Sequence, residues 1–267
     1  MYNLLIRPFV RKMEKEKASA VAFKYFKFIG AVPGLRQFYR LVHKNRSFGI
    51  DREVFGLHFY NPLGLGAGLD RKGEMSATLE DLGFSFVEIG PLDAESTRTA
   101  IANIQKQPYE DIVAACIDAD IITSFSLIYD FCDFFVIDFP DTLDEQAVDQ
   151  VLNVRLTYDE YKPIVMRLPE SMTEAELHKT LDNCMYSGID GVQVRSLEHV
   201  KAVYEYTKGR LPIIANSHIK TPSEALELLN SGASLIELRS GLVAEGPSLV
   251  RNTLNFLEKE LANNAKG

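Results

Sequence analysis

The 267-residue chain has few cysteines and no long apolar run. Cys116, Cys132 and Cys184 are too scattered for a disulfide framework, and they lack the CxxC spacing of a metal site. No run of about 18 uncharged apolar residues is present, and the start lacks the basic, apolar and small-residue order of a signal peptide. We therefore expect a protein of the reducing cytoplasm with no bound metal and no membrane-spanning helix.

Positive charge is scarce except at the start of the chain. Residues 1–46 carry eleven Lys or Arg and two acids, whereas the other 221 residues carry 18 basic and 35 acidic side chains. The formal charges of the two parts are therefore +9 and -17. Such a split indicates an appended module, so the predicted domains are a basic extension at 1–46 and a second domain at 47–267. The acidic second domain argues against a nucleic-acid partner.

The apolar residues of the extension have helical spacing, which predicts two amphipathic helices with basic polar faces. Helices of this kind bind anionic bilayer surfaces, where each nearby Lys or Arg contributes about 1 kcal/mol. We therefore expect residues 1–46 to contact the inner face of a membrane peripherally. The alternative is a basic helical pair that caps the acidic domain. The apolar residues in question are Leu4, Leu5, Pro8 and Phe9, and then Ala18, Val21, Ala22, Tyr25, Phe26 and Ile29.

Beyond residue 48, short apolar runs alternate with helical stretches, a pattern typical of a parallel sheet. Eight such runs predict an α/β fold, a closed (β/α)₈ TIM barrel in one domain. A doubly wound open sheet is the alternative, but its Gly-x-Gly-x-x-Gly turn is missing. One further strand at Val54–Phe59 is expected to close the bottom of the barrel. The eight runs are 62–67, 86–89, 112–117, 134–139, 164–168, 191–194, 212–215 and 235–238.

Several motifs resemble the class 2, membrane-associated dihydroorotate dehydrogenases. The run Asn61-Pro62-Leu63-Gly64-Leu65-Gly66-Ala67-Gly68-Leu69-Asp70-Arg71-Lys72-Gly73-Glu74 is similar to that family's first strand and flavin loop. Residues 82–90 resemble its second strand, 210–214 its seventh, and 232–241 with Glu245-Gly246-Pro247 its eighth strand and phosphate loop. The basic helical start also resembles class 2, in which it forms a quinone entry against the membrane.

This resemblance implies a family reaction in which a serine base removes a proton from dihydroorotate, a hydride passes to FMN, and quinone takes the electrons. Such chemistry needs a base within hydrogen-bond reach and a flavin held by its phosphate and ring. By the same resemblance, the residues expected near FMN are Ala67, Gly68, Arg167, Ser217, His218, Ser240 and Gly241. Arg167 corresponds to the family's flavin-ring lysine, or Met166 does if the alignment contains a one-residue gap.

The chain departs from the family where the chemistry is carried. The family's Asn-x-Ser-Ser-Pro-Asn-Thr segment corresponds here to Asp138-Phe139-Pro140-Asp141-Thr142, so both serines are deleted and both asparagines are aspartates. Thr142 is a poor substitute, and we predict no catalytic residue. The substrate loop after the second strand and the lid after the sixth are also missing, which admits water. The glycine-rich phosphate turn is Ala215-Asn216-Ser217-His218, which weakens that site.

Arginines after several strands suggest a new anion site, because guanidinium groups bind phosphate and carboxylate bidentately. In the alternatives, arginines and the carboxylates Glu88, Asp138 and Glu237 fill the volume of a lost flavin, or FMN is retained. We therefore predict a degenerate family member that binds an anion or a partner. An active FMN oxidoreductase with another substrate and base is the alternative, and a membrane scaffold is a third. The residues expected to contact substrate or anion are Arg71, Lys72, Asp138, Arg195 and Arg239.

Overall fold

The computed structural model describes residues 2–43, 49–75, 78–79, 81–107, 109–139 and 145–264. The predicted domain boundary after residue 46 lies outside these residues. The segment Pro140-Asp141-Thr142, which corresponds to the family's catalytic loop, also lies outside them.

The basic extension contains four helices, so the prediction of two was wrong. They are α1 (Tyr2–Leu5), α2 (Arg7–Val10), α3 (Lys15–Ala31) and α4 (Pro33–His43). Proline explains the extra starts: Pro8 lies in the first turn of α2, where its missing N–H is tolerated. The residue before Pro33 is extended, with φ -106° and ψ 103°, because proline disfavours helical backbone at the preceding position.

Helix α3 packs its apolar stripe against the barrel and the other helices of the extension. Ala18, Ala22, Phe26 and Ile29 are buried at helical spacing. The ring of Tyr2 stacks on Phe26 with 5.8 Å between ring centroids. Burial of an aromatic side chain of this size contributes about 1.5–3 kcal/mol, so this small core holds the extension in place.

Ion pairs between the extension and the barrel add to this core. Arg36 donates to Asp81 at 2.8 Å, and Arg7 and Arg11 both contact the carboxylate of Glu245. The Asp81 carboxylate is 2% exposed, so its pairing matters more than that of a surface acid. These contacts are the ones expected of a basic segment that caps an acidic domain.

A hairpin covers the bottom of the barrel. Strands β1 (Arg52–Val54) and β2 (Leu57–Phe59) pair antiparallel, so the prediction of one continuous strand was wrong. The chain reverses because Phe55 and Gly56 both have positive φ, 57° and 78°, as tight hairpin turns require. Phe59 packs edge-on against Phe86, with 5.4 Å between ring centroids, at the amino end of a barrel strand. The predicted closure of the bottom is confirmed.

Eight parallel strands form a closed barrel, which confirms the predicted (β/α)₈ fold. Each strand pairs with its neighbours in sequence, and the last pairs with the first, Ile236 opposite Leu63. All eight predicted runs contain a strand. The strands are β3 (Leu63–Leu65), β4 (Phe86–Leu92), β5 (Ile112–Ile117), β6 (Phe134–Asp138), β7 (Ile164–Arg167), β8 (Gly191–Val194), β9 (Ile213–Ala215) and β10 (Leu235–Leu238).

Helices follow the strands and surround the barrel: α5 (Ala94–Lys106), α6 (Ile121–Ile128), α7 (Glu145–Arg155), α8 (Glu174–Ser187), α9 (Leu197–Thr207), α10 (Pro222–Asn230), α11 (Ser240–Glu245) and α12 (Ser248–Asn264). The connections after β4 and β8 are very short, as the sequence predicts, because Asp93 and Ser196 cap α5 and α9 almost at once. Neither connection covers the carboxyl ends of the strands, where barrels of this type place their sites.

Candidate functional site

A layer of polar side chains crosses the interior of the barrel. Successive strand residues alternate between the two faces of a sheet, so a polar residue two positions beyond an inward apolar one also points inward. Glu88 and Glu237 lie two positions beyond Phe86 and Leu235, which belong to the apolar cluster at the bottom. Arg167 and Gln193 occupy the same level on β7 and β8. The four residues are at most 4% exposed.

Arg167 is the centre of this layer. Its Nη2 donates to Glu88 Oε1 and its Nη1 to Asp138 Oδ2, both at 2.5 Å. Its Nε donates to Gln193 Oε1, and its Nη1 also approaches Cys116 Sγ at 3.1 Å. The guanidinium therefore binds two carboxylates, one through each terminal nitrogen, by charge-assisted hydrogen bonds.

The two glutamates of the layer titrate differently. Gln193 Nε2 donates to Glu88 Oε2 at 2.7 Å and to Glu237 Oε2 at 3.0 Å, which holds the carboxyl groups near each other. Burial opposes ionisation of Glu88, but the Arg167 charge together with side-chain hydrogen bonds to its neighbours outweighs burial and lowers the pKa of Glu88. Burial and the Glu88 charge raise the pKa of Glu237 well above its ordinary value. Negative charge is therefore favoured on Glu88 and disfavoured on Glu237.

Above this layer, a cavity of about 270 Å³ opens at the mouth of the barrel. It is rich in cations, and only Ala67 and Pro91 contribute apolar side chains. The complete lining is Lys15, Ala67, Pro91, Asp138, Arg167, Glu170, Arg195, Asn216, His218, Arg239 and Ser240.

Arg239 forms one wall of the cavity. Its Nη1 donates to the Ala67 carbonyl at 3.1 Å and passes close to Gly68, where an added Cβ would lie only 2.7 Å from this nitrogen. Gly68 has φ +107°, a backbone conformation that favours glycine, and the absence of a Cβ leaves room for the end of the Arg239 side chain. Partial burial, together with the charges of Arg167 and Arg195, lowers the pKa of Arg239. The guanidinium is crowded by like charge, which favours an anion beside it.

Two further polar contacts shape the cavity. Arg195 approaches Asp138 at 3.7 Å and is 45% exposed. His218 Nδ1 and Ser240 Oγ are 2.8 Å apart, which links the loops after β9 and β10. Together with Asn216, these side chains offer donors for the oxygens of a carboxylate or phosphate.

The structure brings seven of the predicted site residues to this cavity and leaves five outside its lining. The seven are Ala67, Asp138, Arg167, Arg195, His218, Arg239 and Ser240. The five are Gly68, Arg71, Lys72, Ser217 and Gly241. Gly68 still contacts the wall through Arg239.

Arg71 and Lys72 are exposed because the loop that carries them folds around Asp70. The Asp70 carboxylate accepts hydrogen bonds from the Glu74 and Met75 backbone N–H groups at 2.8 and 2.9 Å. This buried anchor turns the loop away from the cavity.

Ser217 and Gly241 both contact the backbone of Ile219. The Ile219 N–H donates to the Ser217 carbonyl at 2.9 Å, which forms a tight turn. An added Cβ at Gly241 would lie 1.9 Å from the Ile219 carbonyl oxygen. Packing of this turn against α11 is therefore sufficient to require glycine at 241.

Sequence reasoning missed several residues that shape the site. Lys15 belongs to α3 and reaches the cavity through the docking of the extension, which its sequence position does not reveal. Asn216 was noted only as a lost glycine. Gln193 could have been predicted, since it is the one polar residue of the run 191–194. It is two positions from Arg195, so alternation along the strand places both side chains on the inward face.

Among the residues that the structure describes, no group of three or more His, Cys, Asp or Glu side chains could hold a metal ion. No helix in this part of the chain is long and apolar enough to cross a membrane. The three cysteines are buried and free.

Comparisons with known proteins agree with the predicted resemblance. A family model described as dihydroorotate dehydrogenase matches residues 140–261. A protein of Christiangramia forsetii named dihydroorotate dehydrogenase (quinone) is 25% identical, with 98% of this chain and 100% of that protein covered. One of Proteus mirabilis with the same name is 24% identical, covering 96% and 100%. The resemblance is therefore confirmed.

The alignment with the C. forsetii protein also shows how many aligned positions have no counterpart in this chain. It runs over 345 positions, whereas the chain has 267 residues, so at least 78 aligned positions have no residue here. Among solved structures, the ligand-free enzyme of Eimeria tenella superposes with a TM-score of 0.75 at 17% identity, covering 92% of this chain and 95% of that one. Its complex with ferulenol gives 0.73 at 15% identity, covering 87% and 90%. These two likenesses show the shared fold.

Proposed function

Since this chain resembles the quinone-type dihydroorotate dehydrogenases over nearly its whole length, we propose that it is a member that no longer oxidises dihydroorotate. It binds a small anion at the mouth of the barrel instead. The observation that carries this proposal is the cavity surrounded by Lys15, Arg195 and Arg239.

The loss of a base supports the loss of oxidation. Proton abstraction needs a group within hydrogen-bond reach of the substrate, and the sequence lacks both serines of the family's loop. Asp138, the described residue that begins this segment, is bound to Arg167 at 2.5 Å and faces Arg195. The Asp138 carboxylate is therefore engaged by two guanidinium groups of the protein.

The residues at the mouth do not fit FMN. Sites for ligands of cofactor size measure about 300–1,000 Å³ and have mainly apolar linings. This cavity is about 270 Å³, has two apolar lining residues, and is crossed at one wall by Arg239. Below it, Arg167 and its carboxylates close the floor. The volume and the charge suit a much smaller anion.

The test has three parts. An ultraviolet–visible spectrum of the purified protein, before and after incubation with excess FMN and removal of the unbound fraction, should show no flavin. An assay for orotate formation with dihydroorotate and a quinone should show no turnover. Binding of inorganic phosphate, followed by thermal shift at constant ionic strength, should be detected in the native chain and lost in Arg239→Gln.

Arg71→Gln is the matched control, because Arg71 is an exposed arginine that lies outside the cavity lining. It should bind phosphate as the native chain does. Flavin at near one equivalent together with orotate formation would overturn the proposal in favour of an active oxidoreductase. Equal phosphate binding by both variants would remove the anion site.

A second candidate function, peripheral contact with an anionic membrane, rests on the surface of the extension. Leu4, Leu5 and Phe9 are 82%, 57% and 62% exposed on α1 and α2, beside several basic side chains. Further apolar side chains of the extension are exposed at Met13, Phe28, Val32, Phe38 and Leu41. An apolar surface flanked by Lys and Arg suits the headgroup region of an anionic bilayer.

Co-sedimentation with vesicles tests this contact. The native chain should bind vesicles that contain phosphatidylserine and release them at high salt, because part of the attraction is electrostatic. A double change, Leu5→Glu with Phe9→Glu, should abolish binding. Leu156→Glu is the control, since Leu156 is 78% exposed but directly follows α7 of the barrel. If the native chain stays in the supernatant, it does not bind these vesicles. The extension would then serve to cap the barrel.

A further inference from the structure

The cavity at the mouth is built by two separate parts of the chain. Lys15, the first residue of α3, reaches it from the extension, whereas Arg195 and Arg239 reach it from the barrel loops. The chain just before Lys15 is fixed on the barrel, because Arg7 and Arg11 both pair with Glu245. The position of Lys15 over the cavity therefore follows from the docking of the extension.

Two cations at this cavity have no carboxylate partner. Among the described residues, no carboxylate oxygen lies within 4.0 Å of the Lys15 ammonium or the Arg239 guanidinium, and the acid that precedes Lys15, Glu14, pairs with Lys17 at 2.9 Å. Arg239 donates to a backbone carbonyl alone.

The other charges at the mouth balance one another. Arg167 and Arg195 face Glu88 and Asp138, so these four side chains form a neutral set. Burial and the neighbouring Glu88 charge raise the pKa of Glu237, which disfavours a negative charge on that carboxyl. Glu170 is an exposed acid at the rim and Lys15 is an exposed lysine, so solvent screens both charges. Lys15 and Arg239 thus supply two positive charges that nothing else at the cavity pairs directly.

We infer that the ligand of this cavity is a small organic dianion, and that it bridges Lys15 of the extension to Arg239 and Arg195 of the barrel. This inference rests on the anion site proposed above and adds the charge of the ligand and a contact from the extension. A volume of about 270 Å³ corresponds to about nine water molecules at about 30 Å³ each, so a bare inorganic ion would leave most of it to water. A short dicarboxylate such as succinate or glutarate fills more of it and presents an anionic group at each end.

The test compares acetate, sulfate and succinate as probes by calorimetric titration at constant ionic strength. Succinate should bind most tightly, because it alone combines two charges with a length that reaches both parts of the chain. Lys15→Gln should weaken succinate binding about 10-fold, the loss of one charge-assisted contact, and Lys15→Arg should restore most of it. Lys12→Gln is the matched control, since Lys12 is an exposed lysine just before α3 and does not line the cavity.

Hydrogen exchange supplies a readout of bridging. Saturating succinate should slow amide exchange at the start of α3 in the native chain and in Lys12→Gln, but not in Lys15→Gln. Succinate binding lost in Arg239→Gln but unchanged in Lys15→Gln would refute the bridge and leave the barrel site intact. Acetate binding as tight as succinate would refute the dianion. If succinate binding persists unchanged in every one of these variants, the anion site itself is refuted.

Discussion

Replacement of Arg167 by Met removes the cation that neutralises two carboxylates inside the barrel. The Glu88 side chain is 0% exposed and that of Asp138 is 10% exposed, so neither gains much from water when its partner is lost. Removal of one member of a buried ion pair costs about 3–5 kcal/mol, because the remaining charge is left without compensation. A domain is stable by only about 5–15 kcal/mol, so this one change should remove a large share of the total.

Urea unfolding followed by far-ultraviolet circular dichroism measures the loss. Arg195→Gln is the control, since Arg195 is 45% exposed and lies 3.7 Å from Asp138, and it should cost less than about 1 kcal/mol. A double change, Arg167→Met with Glu88→Gln, should recover part of the loss, because it removes a charge along with its partner. The midpoint and the slope should be compared, so that a change in the denatured state is recognised.

The pH dependence of this loss has a definite sign. Arg167 lowers the pKa of Glu88, so the stabilisation from this pair is present above the ordinary pKa of glutamate and is lost as pH falls. The difference in free energy of unfolding between the native chain and Arg167→Met should therefore become smaller in acid, where Glu88 protonates in the variant. Two results would refute a stabilising role of Arg167 in the buried layer. One is a loss of unfolding free energy no larger than that of Arg195→Gln, and the other is a loss that stays constant as the pH is lowered.

Three further outcomes follow from single contacts. The pKa of Glu237 is raised by burial and the neighbouring carboxylate, so stability should fall as pH rises above the ordinary pKa of glutamate. Glu237→Gln should remove that fall in thermal melts, and a difference in melting temperature between variant and native chain that does not change with pH would contradict it. Asp81→Asn weakens two arginine contacts and should cost about 1.5–3 kcal/mol, with faster tryptic cleavage of the extension. Gly246→Ala places a Cβ 2.3 Å from the Tyr2 ring at φ +79° and should cost about 1–3 kcal/mol in urea unfolding, whereas Gly34→Ala, with open space around it, should not.

The barrel could be predicted because each strand carries its own signal. A buried parallel strand is a short apolar run between helical stretches, and all eight runs satisfied this pattern. The hairpin at the bottom was misread as one strand because its turn uses Phe55 at positive φ, a conformation that a bulky side chain rarely adopts. The extension was misread because Pro8 and Pro33 start new helices inside a continuous helical periodicity.

The site was predictable as far as it depends on strand ends. Arg195 and Arg239 follow β8 and β10 directly, so their place at the mouth follows from the barrel itself. Lys15 could not be assigned in this way, because it is far away in sequence and its position depends on how the extension packs. Arg71 was expected at the mouth for the same reason as Arg195, but the Asp70 carboxylate binds two backbone N–H groups and turns that loop outward.

The depth of each charge in the barrel decides what it can bind. Alternation along a strand separates Arg167 from Arg195 by one layer, although both are arginines of neighbouring strands. In the lower layer, Arg167 forms ion pairs with Glu88 and Asp138, so protein carboxylates neutralise its charge. In the upper layer, Arg239 meets a carbonyl and other cations, so its charge remains for a ligand. Filling of the flavin volume and formation of an anion site are therefore compatible: Arg167 binds the lower carboxylates, whereas Arg239 above them has no carboxylate within 4.0 Å among the described residues.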